Sequence, residues 1–266
     1  MRTPLIVAAH LMVALATGCA SSPSPVDADS PQLSKEPKMT SEIWADFIMG
    51  GEHVGFMQER RMKMPDGSTQ MHSLTTFRMG DEIYENGYFC TYDKPLPDGT
   101  PGPWRATGYF GIEDGKTFWT AWMRRGQQLV KVEDGTIVTA DPPRELAAGT
   151  FGTADVGLLL RQVEPRAGST FAGHSLNEGD GQASPFTLTV KGDKADDGRW
   201  RVDELRGGRP SRVFWLDNER AVQTWDWSGG SGQAVSHRMT REAALAGLPA
   251  EWRKLDDFAL EIRLPE

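Results

Sequence analysis

Cysteine is nearly absent from this chain: its 266 residues contain only Cys19 and Cys90. Two cysteines cannot build a disulfide framework, so stability must come from burial, and the chain is long enough for one sizeable core. No basic run occurs, and the formal net charge is −8. That balance excludes a nucleic-acid surface and an electrostatic membrane patch. No apolar run reaches the about 20 residues needed to span a bilayer as a helix. No repeat with a period of about 20–50 residues is present. His53, His72, His174 and His237 show no metal-ligand spacing. No signal supplies Cys90 with a base, so it reads as a buried apolar residue. The run "GGSGQ" breaks the G-x-S-x-G pattern at Gln233 and lacks a strand-to-helix context, so 229–232 reads as a hairpin loop. No cofactor is predicted and the chain is not expected to be an enzyme.

What is present begins with a short apolar segment. Arg2 precedes the apolar residues 4–17, a length that fits the h-region of a secretory signal peptide. The segment closes on "LATGC", with small residues before Cys19. This resembles the lipobox of bacterial lipoproteins, which implies cleavage before a lipid-modified Cys19. Ala20 follows, which by the same analogy favours the outer membrane. The expected organisation is a signal peptide over 1–18, a lipidated cysteine and Ser/Pro-rich disordered tether over 19–40, and one domain over 41–266.

That domain reads as mainly β. Turn signals recur every eight to twelve residues, as at Gly50-Gly51, Asp66-Gly67, Gly80-Asp81, Asp114-Gly115, Arg125-Gly126 and Asp134-Gly135. Between them lie short aromatic and β-branched runs. In "PFTLTVK", Phe186, Leu188 and Val190 alternate with threonines. A two-residue turn at Asp66-Gly67 would pair Met62 with Met71, Phe56 with Phe77 and Val54 with Met79. A turn at Gly51-Glu52 would pair Met49 with Val54 and Phe47 with Phe56. Both place the apolar residues on one face, and the Gly80-Asp81 turn adds Tyr84, Tyr88 and Cys90. Gln58, Arg60, Ser73, Thr75 and Asn86 fall there too, a costly set for a dry core. Two short helices are predicted. Val156, Leu159, Leu160 and Val163 form one stripe, with Thr153 as cap, Asp155 in the first turn and Pro165 as stop. A second helix runs from Thr240 as cap to Ala246, ended by Gly247 and Pro249. Sheet and stripe can bury each other. The expected fold is a curved antiparallel sheet, a half-barrel or open barrel, with these helices on its apolar face.

The order of "GGEHVGF", long strands, "DVGLLLRQVEPRAG" and "RVFWLDNERAVQTW" over 43–240 resembles the half-barrels of the lipoprotein-carrier and lipoprotein-receptor superfamily. It is also similar to secreted modules found ahead of transglutaminase-like domains. The resemblance implies a groove between sheet and helix that receives acyl chains, and it brings no catalytic residues. Candidate groove residues are Phe47, Met49, Phe56, Met62, Met71, Phe77, Tyr88 and Leu160.

Other patterns stay open at this level. Methionines crowd between Met39 and Met79, as core, as a plastic apolar surface or as Cu(I) ligands. Asp193, Asp197, Gly198 and Glu204 match part of a calcium loop that Ala195 breaks. Trp225 and Trp227 share a strand face and could stack on sugars. The sequence thus predicts a lipid-anchored envelope binding or accessory protein for an apolar or acyl ligand or a lipoprotein. The alternatives are a structural module, a carbohydrate-binding protein and an enzyme with an unrecognised site.

Overall fold

Tight turns and alternating strands account for most of the chain. The computed structural model describes residues 36–97, 102–138, 144–147, 149–152, 156–191, 198–227, 233–258, 260 and 262–265. Outside them lie the expected signal peptide, Cys19, most of the tether, Thr153, Asp155, Asp193, Asp197 and the 229–232 loop. The described residues belong to one compact unit, Ser34–Glu266.

The first strands form a meander: β1 (Lys38–Met49), β2 (Glu52–Lys63), β3 (Thr69–Met79), β4 (Glu82–Tyr92), β5 (Trp104–Glu113), β6 (Lys116–Arg125), β7 (Gln128–Glu133) and β8 (Thr136–Val138). Two short strands follow, β9 (Arg144–Glu145) and β10 (Thr150–Gly152), then helix α1 (Val156–Gln162). A second meander comprises β11 (Thr170–Leu176), β12 (Ala183–Lys191), β13 (Trp200–Arg206), β14 (Arg209–Leu216), β15 (Val222–Asp226) and β16 (Ala234–Met239), followed by α2 (Arg241–Leu245). β16 pairs with β1, so both meanders join in one open, curved sheet, antiparallel except where β10 meets β11. The expected open, curved sheet is therefore present. Its first strand starts at Lys38, inside the segment expected to be tether.

The strand faces correct the expected register. Phe47 lies opposite Gly55, Gly55 opposite Phe77, and Phe77 opposite Tyr84. Phe56 lies between Asp46 and Thr76, and Met62 between Met39 and Gln70, while Met71 faces Arg61 and Cys90. Hence β1, β3 and β4 hold the expected relation to one another, but β2 is slipped by one residue. Phe56, Gln58, Arg60 and Met62 all move to the opposite face. The cause is turn chemistry. Pro65 has no N–H with which to close a two-residue loop. The chain instead makes a three-residue loop closed by Met64 and Ser68, with Gly67 at φ 87°. At the other end of β2 the turn is Gly50-Gly51, both at positive φ, and an irregularity after Phe47 leaves Val54 unpaired.

The face carrying Phe47, Met71 and Cys90 is here called the inner face. There α1 buries Val156, Leu159, Leu160 and Val163 in one core, as the stripe predicts. The core draws on both meanders, with Ala45, Met57, Met71, Cys90 and Trp104 on one side and Phe186, Leu188, Val190, Val202 and Phe214 on the other. The "PFTLTVK" alternation is as expected.

The outer face is covered by α2, which was expected on the same face as α1, and by the segment after it, which has no strand or helix period to announce it. The slip of β2 turned Phe56 outward and gave α2 an apolar partner there. Ala244 and Trp252 pack on Trp44 and Phe56; Leu255, Phe258 and Ile262 pack on Leu74, Phe89, Phe110 and Val132. Polar side chains hold it in place. Gln58 Oε1 accepts from the Leu255 N–H at 2.8 Å, Gln70 Nε2 donates to the Ile262 carbonyl at 2.9 Å, and Arg60 pairs with Asp256 at 2.7 Å. Thus Gln58 and Arg60, expected as unsatisfied groups in the concavity, anchor the cover on the other side. Thr240 caps α2 as expected, accepting from the Ala243 N–H.

Candidate functional site

Away from α1, the inner face carries aromatic side chains that belong to none of the apolar cores: Phe47, Phe77, Tyr84, Tyr88, Tyr109 and Phe118. Strand pairing builds the row. Phe47 and Phe77 flank Gly55 across three strands, and their ring centroids are 4.8 Å apart. A Cβ on Gly55 would lie 2.2 Å from the Thr76 carbonyl oxygen and 2.6 Å from Phe77. Glycine is therefore what lets the rings meet over β2. Tyr84 stacks on Phe77 at 5.3 Å, with ring planes 16° apart. Trp227 adds a fourth ring, 5.5 Å from Phe47. Phe47 is buried, while Phe77, Tyr84 and Trp227 keep part of their surface exposed.

Charged groups from the second meander face this end. Glu204 is fully buried on β13 and bonds Arg206 at 2.6 Å and Arg212 at 2.8 Å. Burial alone would raise its carboxyl; the arginines outweigh that and hold it below the usual carboxylate range. Burial lifts the Tyr88 hydroxyl above its ordinary value, Glu178 adds to the lift, and Arg206 and Arg212 oppose it. Tyr88 on β4 thus lies within electrostatic reach of two arginines on the facing strands. Glu59, also on the inner face, is raised by burial against the pull of Arg212, Arg61, Arg238 and Arg161.

Beside Tyr88 the sheet splits. β4 pairs with β5 from Gly87 to Tyr92, but residues 82–86 pair only with β3. A cleft of about 720 Å³ opens there, with Tyr88, Tyr109 and Phe118 on its inner side and Phe110, Ile112 and Trp252 on its outer side.

The structure separates the candidate groove residues into three groups. Phe47, Met49, Phe77 and Tyr88 lie on the inner face, with Phe47 and Phe77 in the aromatic row and Tyr88 at the cleft. Met71, on the inner face beneath α1, and Leu160, on α1 itself, are core residues, 8% and 0% exposed. Phe56 and Met62 lie on the outer face, where Phe56 is fully buried. The methionines divide likewise: Met57 and Met71 in the core, Met62 outside, Met39 and Met79 exposed. Trp225 is a core residue at 5% exposure, so it offers no sugar platform. Among the described residues no group of three or more His, Cys, Asp or Glu is placed to hold a metal. Sequence reasoning missed Arg206 and Arg212. Their signal was charge at an inward strand position, since Val202, Glu204 and Arg206 alternate on one face.

Among the described residues, no helix is long and apolar enough to cross a membrane. Comparison of the chain with family models, curated proteins and solved structures finds no match.

Proposed function

We propose that this chain is a lipid-anchored binding protein of the cell envelope that receives an apolar or acyl ligand on the row Trp227, Phe47, Phe77 and Tyr84. One observation carries the reading. Four contiguous rings line the concave face beyond α1: Phe47 is buried, Trp227 packs against the main core, and Phe77, Tyr84 and Trp227 keep part of their surface exposed. Contiguous exposed apolar surface on a folded domain commonly marks a binding site. On this reading the groove lies beyond α1 rather than beneath it, because the helix fills the space it covers. Arg206 and Arg212 stand on the same face, paired with Glu204 and within electrostatic reach of Tyr88, and would give a ligand with an apolar body a polar end to meet. The anchor rests on the lipobox resemblance at Cys19, and Ala20 after it favours the outer membrane by the same analogy.

A fluorescent fatty-acid analogue titrated into the full chain tests the ligand class. Saturable binding is expected. Phe77→Ala should weaken it roughly ten- to a hundredfold, the equivalent of about 1.5–3 kcal/mol of lost burial, in a protein that remains folded. Absence of saturable binding by the wild type, or a Phe77→Ala variant that binds equally well, would defeat the reading. A response to saccharides instead would move the protein to the carbohydrate class. Cys19→Ala should release the protein from the membrane fraction, and an unmodified Cys19 in the wild type would remove the anchor.

A further inference from the structure

The cleft between β4 and β5 exposes strand backbone as well as side chains. The turn joining β3 and β4 has two residues, Gly80 and Asp81, flanked by the pair Met79–Glu82, with Gly80 at φ 63°. In such a hairpin the flanking pair is hydrogen-bonded, and bonded pairs recur at every second residue. Glu82, Tyr84 and Asn86 therefore direct their N–H and C=O groups to β3, whereas Ile83 and Glu85 turn theirs away. The same logic holds on the far wall. Asp114 and Gly115 form the two-residue turn after β5, flanked by Glu113–Lys116. Gly111 and Glu113 bond β6, and Ile112 turns toward the cleft. Among the described residues no strand pairs with these outward groups.

We infer that this cleft is a docking slot for an extended peptide segment of another protein, which adds as a strand to β4. Its side pockets suit a strand. Successive side chains of an extended chain point to opposite faces, and the slot offers aromatic lining on both: Tyr88, Tyr109 and Phe118 inward, Phe110 and Trp252 outward. Backbone bonds supply the affinity in this mode and alternating pockets the selectivity. Charge narrows the partner. Three carboxylates, Glu85, Glu178 and Glu251, line the slot with one guanidinium, Arg253, which Glu85 holds at 2.6 Å. Glu178 accepts from the Thr107 hydroxyl, so the lining is acidic on balance with Glu251 at its exposed rim. The occupant is a segment with alternating apolar side chains and at least one lysine or arginine. The slot borders the aromatic row at β4 but shares no lining residue with it, so either reading can fail alone.

The test pans a displayed library of random heptapeptides against the full chain, then follows amide hydrogen exchange by NMR with and without a selected peptide. Selected sequences should alternate apolar residues and carry Lys or Arg. Binding should slow exchange at Ile83, Glu85 and Ile112 at least tenfold. Ile83→Pro removes a donor that faces the slot and leaves the β3 ladder intact, so it should weaken binding at least tenfold. Phe118→Ala, which touches no backbone group, should weaken it severalfold, and Glu251→Lys should do so most at low salt. Phe77→Ala should leave it unchanged. Failure to select any binder, protection elsewhere, or full binding by both Ile83→Pro and Phe118→Ala would overturn the slot. Protection of those amides before peptide is added would overturn it too, by showing the chain's own segment or a second copy already in place.

Discussion

The two ends of the inner face are built from the same strands and end differently. Beneath α1, Met57, Met71, Cys90 and Trp104 from the first meander meet Phe186, Leu188, Val190 and Phe214 from the second, and the helix closes the space between them. Toward the β3–β4 turn the same strands carry Phe47, Phe77, Tyr84 and Tyr88, and among the described residues no such core forms over Phe77, Tyr84 and Tyr88. Glu204, Arg206 and Arg212 stand there in place of a second apolar layer. A curved sheet with one helix has enough apolar cover for one end of its concavity. The other end is left with aromatic rings and charges, which is where recognition can occur without dismantling the core.

The largest expected effect comes from exchanging the same substitution between the two ends. Leu160→Asp places a charge in a fully buried site, which should cost more than about 4 kcal/mol and leave the chain largely unfolded. Phe77→Asp, at the open end, should cost about 1–2 kcal/mol. Urea denaturation followed by tryptophan fluorescence measures both. Equal losses would erase the distinction between the ends.

A second test concerns the charged layer. Arg212→Ala leaves Glu204 buried with one partner fewer, and removing a member of a buried pair costs about 3–5 kcal/mol. Replacing both, as Glu204→Leu with Arg212→Met, should recover most of that stability. If Arg212→Ala alone proves nearly neutral, water reaches Glu204 and the open end extends deeper than the side chains suggest.

The smallest expected effect is of acid, and it sharpens the contrast by acting on the outer face. Burial, reinforced by Arg60, lowers the His72 pKa to about 4, and its Nε2 stands 3.2 Å from Gln70 Oε1. The unfolded chain takes up this proton near pH 6.5, while the folded protein resists until about 4. Stability should therefore be full above pH 6.5 and decline by roughly 2–3 kcal/mol as pH falls toward 4. Glu204, held below the ordinary carboxylate range, should deepen the loss below about 4.5. His72→Gln should flatten the upper part of the curve. A wild-type midpoint that does not move between pH 7 and 5 would contradict a neutral, buried His72.

Much of this architecture is legible locally. Alternation in 186–190 placed those side chains inward because strand residues change face at every step. The stripe at Val156, Leu159, Leu160 and Val163 located α1, and Thr240 located the start of α2. Gly80-Asp81 set the β3–β4 register correctly because the loop there really has two residues. The Asp66-Gly67 signal failed because Pro65 forces a third residue into the loop, and β2 then turns over as a unit. Phe56 and Met62 left the candidate site for that reason alone.

By itself, the amino-acid sequence determined the class of fold, the two helices and the faces of β1, β3, β4 and β12, because dihedral preferences and side-chain periodicity act over a few residues. Tertiary structure decided what long-range contact decides. It joined β16 to β1, merging two meanders into one sheet. It brought α2 and the aperiodic segment after it over the outer face, where Gln58, Gln70 and Arg60 bond that segment. It set Arg206 and Arg212 near Tyr88, and it parted β4 from β5 to open a cleft. None of these has a local signature, since each joins groups far apart along the chain whose pairing is fixed by which surfaces are left to bury once the strands have formed.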